Sequence, residues 1–140
     1  MNARKIIFMA TALTAFALMS NAAIAQSYSG SFPVKVALPP HDANTACLTL
    51  VDTGKNGQHS GSAKLSGDMA GNTTQTGTFQ VLNHLLVATF ETGSDTGEVV
   101  YSLFIAPAAD GDLSPGAYEE PGFVSGAATF GTKGGCTNSQ

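Results

Sequence analysis

Tryptophan is missing from this chain of 140 residues, and lysine and arginine together number only six. The first absence removes the broadest aromatic platform and leaves little ground for a paired-carboxylate glycosidase built on Glu91, Glu98, Glu119 or Glu120. The second is sharper beyond residue 25. No arginine follows Arg4, and Lys35, Lys55, Lys64 and Lys133 stand against ten carboxylates, which leaves a formal charge of −6. Phosphate backbones are held by clustered cations, so nucleic acid is not an expected partner.

Signatures of chemistry are missing as well. There is no G-x-S-x-G elbow, no S-x-x-K, no phosphate-cradling G-x-x-x-x-G-K-[ST] and no C-x-x-C. His41, His59 and His84 are widely separated, without H-x-H or H-E-x-x-H spacing, and Met69 is the only methionine beyond residue 25. Neither a zinc nor a methionine-rich copper site is indicated. The expectation is a protein that is not an enzyme and carries no cofactor.

What is present begins with an export signal. Arg4 and Lys5 precede a mostly apolar run from Ile6 to Met19, and Ala23-Ile24-Ala25 supplies the small residues of a cleavage site. Residues 1–25 read as a cleaved secretory signal peptide of bacterial type and residues 26–140 as one domain, secreted or periplasmic. The run of about 14 apolar residues is short for a hydrocarbon core of roughly 30 Å, so stable membrane insertion after cleavage is not expected. In an oxidising compartment the two cysteines, Cys47 and Cys136, have only each other to pair with, and a disulfide is expected.

The remainder alternates apolar and polar residues with a period of two. Val34, Val36 and Leu38 fall on one face of a first strand, and further strands are expected over 45–53, 61–65, 76–82, 85–91, 98–106 and 123–130. Asn83-His84, between Leu82 and Leu85, has the length of a tight hairpin loop. The strand over 98–106 carries Tyr101, Leu103 and Ile105 on one face and Phe104 on the other, which predicts a strand covered on both sides. No stretch keeps a helical stripe free of glycine, proline and β-branched residues. The fold class is therefore all-β: an antiparallel β-sandwich or small meander β-barrel of seven or eight short strands, stapled by one disulfide.

One stretch, Ile105 to Phe123, gathers Asp110, Asp112, Glu119 and Glu120 around Tyr118. An EF-hand frame from Asp110 fails, because proline stands where glycine and the final glutamate are required, at Pro115 and Pro121. A looser calcium site remains conceivable, but Asp110-Gly111, Pro115-Gly116 and Pro121-Gly122 read more simply as turns. The segment is a candidate binding loop, with Tyr118 expected to be exposed. No family resemblance holds: lipocalins and avidin-like proteins share the size and strands but carry tryptophan near the first strand, where Phe32 is the nearest aromatic here.

The sequence thus points to an exported, disulfide-linked β-domain that binds or builds structure at the cell envelope or surface. Its partner would be a protein, a glycan or a small apolar ligand. One alternative is a barrel that carries an apolar ligand in a cavity lined by Phe79, Phe90, Leu103 and Phe104, or that inhibits an enzyme through its loops. Another is a calcium-dependent protein using Asp110 to Glu120.

Overall fold

The computed structural model describes residues 27–37, 44–68, 74–93, 99–122 and 124–136; the expected export segment, His41 and Met69 lie outside them. Within the described residues nine strands follow one another: β1 (Gly30–Ala37), β2 (Asn44–Asp52), β3 (His59–Gly67), β4 (Thr74–Leu82), β5 (Leu85–Gly93), β6 (Val99–Ala109), β7 (Asp112–Leu113), β8 (Gly116–Glu120) and β9 (Val124–Phe130). Every pairing is antiparallel. The order runs β5-β4-β3-β2-β1-β9-β8-β6, and β5 pairs with β6 to close the ring. Eight strands form a closed up-and-down barrel, and β7 is a short extra strand hairpinned onto the end of β6.

Closure decides between the two architectures left open by the sequence. A sandwich would leave sheet edges, whereas here β1 pairs with β2 on one side and with β9 on the other, Val34 lying opposite both Ala46 and Phe130. No strand of the ring keeps an unpaired flank, which removes the usual template for edge-to-edge aggregation.

Alternation places the core inside the ring. On β1, Phe32, Val34 and Val36 are buried while Lys35 and Ala37 are exposed. The same parity turns Leu48 and Leu50, Ala63 and Leu65, Phe79, Leu86 and Phe90, Phe104, Tyr118 and Ala128 inward, into one contiguous cluster. An eight-stranded barrel is just wide enough for side chains to fill it. Phe104 lies at the hub, with ring centroids 6.1 Å from Phe90, 5.1 Å from Tyr118 and 6.1 Å from Phe130.

The hairpin at Asn83-His84 is as expected: both residues have positive φ, 50° and 62°, the backbone of a type I′ turn. Asn56-Gly57 and Asp110-Gly111 repeat this pairing of positive φ values. Gly77 on β4 is needed for closeness rather than for a turn. A Cβ there would stand 2.0 Å from the Thr89 carbonyl oxygen of β5, so only glycine lets these strands meet.

Two expectations need correction. Residues 116–120, read as a turn at Gly116 and the proline-flanked loop after it, form β8, which bridges β6 and β9 and completes the ring. The strand over 98–106 is covered on one side only. Its inward residues Ser102, Phe104 and Ala106 are buried, but Tyr101 on the outside is half exposed.

Beyond β9 the chain straps across the outside of β1. The Gly131 N–H donates to Pro33 O at 2.8 Å and the Gly134 N–H to Ser31 O at 2.6 Å. The strap ends at Cys136, which is disulfide-bonded to Cys47 on the outer face of β2 with their Cα atoms 5.9 Å apart.

Candidate functional site

The acidic stretch singled out in the sequence does not come together. Asp112 pairs with Ala109 at one end of the barrel, while Glu119 pairs with Leu103, six residues back along β6. At about 3.3 Å per residue that is a separation near 20 Å. Tyr118, expected to be exposed, is 6 % exposed because its position on β8 faces the interior. Among the described residues, no three of His, Cys, Asp and Glu are grouped so as to hold a metal ion.

The aspartate half of the stretch meets residues from elsewhere in the chain. Tyr28, just before β1, closes this end of the barrel, with its side chain buried and its hydroxyl beside the Gly111 backbone. Burial raises the Tyr28 hydroxyl above its ordinary pKa, and Asp110, Asp52 and Asp112 add to the rise. Its ring meets the His59 imidazole edge-on, with centroids 4.9 Å apart.

Asp52, the last residue of β2, anchors this corner. Its Oδ2 lies 2.7 Å from His59 Nδ1 and accepts the Tyr28 N–H at 3.2 Å, while Oδ1 accepts the Gly54 N–H at 3.1 Å. Burial pushes the carboxyl upward, but the His59 hydrogen bond, the two N–H groups and the attraction of the imidazole outweigh it and hold the carboxyl below its ordinary range. These contacts join the residues just before β1 to the end of β2 and the start of β3. A small depression of about 190 Å³ beside them is lined by Ser27, Asp52, Gly54, Gly57, Gln58 and His59. Every strong acceptor of Asp52 is spent on holding chain segments together, so the cluster reads as a structural latch.

The outer surface divides more informatively. The outward residues of β3 are Ser60, Ser62, Lys64 and Ser66, and those of β4 begin with Thr74, Thr76 and Thr78. Across β5, β6 and β8 the outward positions are instead Leu85 opposite Pro107, Val87 opposite Ile105, Thr89 opposite Leu103 and Glu91 opposite Tyr101, with Ala117 beyond Ile105 and Glu119 beyond Leu103. Leu82 at the end of β4 adjoins Leu85. Leu82 is 55 % exposed, Tyr101 50 % and Leu85 39 %, and these make an apolar strip edged by Glu91 and Glu119.

On the opposite side of the ring, a groove of about 680 Å³ opens over β1, β2 and β3, walled by the disulfide-held strap. Pro33, Thr45, Thr49, Lys64 and Ser66 line it, and Asp68 at its margin accepts a hydrogen bond from Thr45 Oγ1 at 3.3 Å. Sequence reasoning missed this groove, because it is made by segments far apart in sequence that meet only on folding. The strip was half visible in the sequence, as the double-sided apolarity of β6. Compared with models of known protein families, with characterised proteins and with solved structures, the chain matches none.

Proposed function

We propose that this is an exported, non-catalytic binding or surface-structural protein that works through the outer face of β5, β6 and β8. The observation that carries the reading is the strip itself: Leu82, Leu85, Val87, Leu103, Ile105 and Tyr101 lie on the outside of a barrel that has its apolar core within. Apolar patches of this kind, rimmed by charge, mark contact sites in soluble proteins. A closed ring offers no edge for a partner strand, so recognition must run through side chains.

The disulfide is consistent with an oxidising compartment outside the cytoplasm. Apolar residues inside and Ser, Thr and Lys outside on β1 to β4 reverse the facing of a transmembrane barrel, which supports a protein that stays in water. The ligand-carrier alternative gains no support, since Phe79, Phe90 and Phe104 are packed into the core cluster and Leu103 faces out.

The test is photo-crosslinking in the exporting cell, with a benzophenone side chain placed at Tyr101 and, as control, at Thr76. Covalent adducts at 101 but not at 76 are expected. An absence of adducts at 101 would overturn the reading.

A further inference from the structure

We propose that the occupant of the apolar strip is a second copy of this chain, received by the groove on the opposite side, so that the protein assembles into open, head-to-tail chains. This rests on the reading of the strip as a binding face and adds the identity of what binds it.

Position is the first argument. In the ring order, β2 lies four strands from β6 in either direction, so the two are diametrically opposed. The strip is centred on β6 and the groove on β2. The groove's volume is within the range of sites that take a small ligand, so it has room for an exposed side chain such as Tyr101.

Charge is the second argument. Lys64 on β3 lines the groove beside Asp68, Lys35 points outward on neighbouring β1, and among the described residues no lysine lies on β5, β6 or β8. The strip is edged by Glu91 and Glu119. A strip-to-strip dimer would press Glu91 and Glu119 of two copies together, which opposes association. A strip-to-groove contact brings them instead to the face that carries Lys64.

Symmetry is the third. A contact between different patches of identical subunits is heterologous, and it propagates into an open filament unless the rotation closes a ring. Faces on opposite sides of a barrel stack along a line, so the assembly grows.

Sedimentation velocity of the purified mature protein, from micromolar to near-millimolar concentration, tests this. A series of species extending past the dimer is expected, shrinking in high salt as the carboxylate–lysine contacts are screened. Tyr101→Ser with Leu103→Ser should abolish growth, and a small proportion of that variant added to wild type should shorten the chains by capping them. Lys64→Glu and Glu119→Lys should each weaken assembly about tenfold, while an equal mixture of the two recovers it. A protein that stays monomeric throughout, one that stops at two copies, or one whose assembly ignores these substitutions would overturn the proposal. If adducts at Tyr101 form in cells but contain a different protein, the binding face stands and self-assembly fails.

Discussion

The Tyr118 hydroxyl donates to Glu120 Oε2 at 3.3 Å, between two side chains on the same side of β8. Burial, followed by the Glu120 charge and its hydrogen bond, pushes the tyrosine pKa up to about 12, against a smaller opposing hydrogen bond from Ser102. In the unfolded chain the same hydroxyl ionises near pH 10. The folded pKa is the higher one, so this stabilisation is complete below about pH 10 and is lost as the pH climbs toward 12. Melting temperatures across that window should fall steeply for the wild type and less steeply for Tyr118→Phe.

At the other end of the barrel the sign reverses. The Asp52 carboxyl is held below its ordinary value, so its contribution is present above the unfolded carboxyl pKa and disappears as the pH falls through the folded one. Replacing Asp52 with Ala leaves the Tyr28 and Gly54 N–H groups and His59 without their acceptor, and urea titration at neutral pH should show a loss of about 1 to 3 kcal/mol. Asp52→Asn should lose part of this and flatten the acid limb of the stability profile.

Breaking the Cys47–Cys136 bond opens a loop spanning 89 residues of separation. On the chain-entropy model that costs about 4 to 5 kcal/mol, a large fraction of the stability of a small domain. Urea midpoints with and without reductant, or for the Cys47→Ser, Cys136→Ser pair, should differ accordingly. Equal midpoints would show that the strap adds nothing to the barrel.

Neighbouring residues on β6 should behave oppositely. Phe104→Ala empties the hub of the interior and is expected to cost about 3 to 5 kcal/mol. Leu103→Ala removes an outward side chain and should change stability by about 0.5 kcal/mol or less. Denaturant melts of the two variants check the facing of the strand directly.

Period-two alternation revealed most of the barrel wall, because a side chain's face is a local property of a strand. The hairpin at Asn83-His84 was legible for the same reason: two polar residues between leucines leave room for one turn geometry. β8 was not legible. Pro115-Gly116 and Glu119-Glu120 carry turn and solvent chemistry, and Tyr118 enters the core only because β6 and β9 stand ready on either side, a condition set by residues far away in sequence. Candidate sites fared likewise. Four carboxylates within eleven positions of sequence were drawn apart by the five residues of β8, whereas Asp52, His59 and Tyr28 converge from separate segments.

The seam between β1 and β9 joins Val34 to Phe130, nearly the two extremes of the domain. A polypeptide made from its amino end can form the meander of β1 to β6 early, but it cannot shut the cylinder until the last strand arrives. Pairings of such long sequence separation are slow to find, and until then β1 presents an open flank. Late closure predicts that refolding is limited by this final zipping, with the sulfur bridge locking it afterwards.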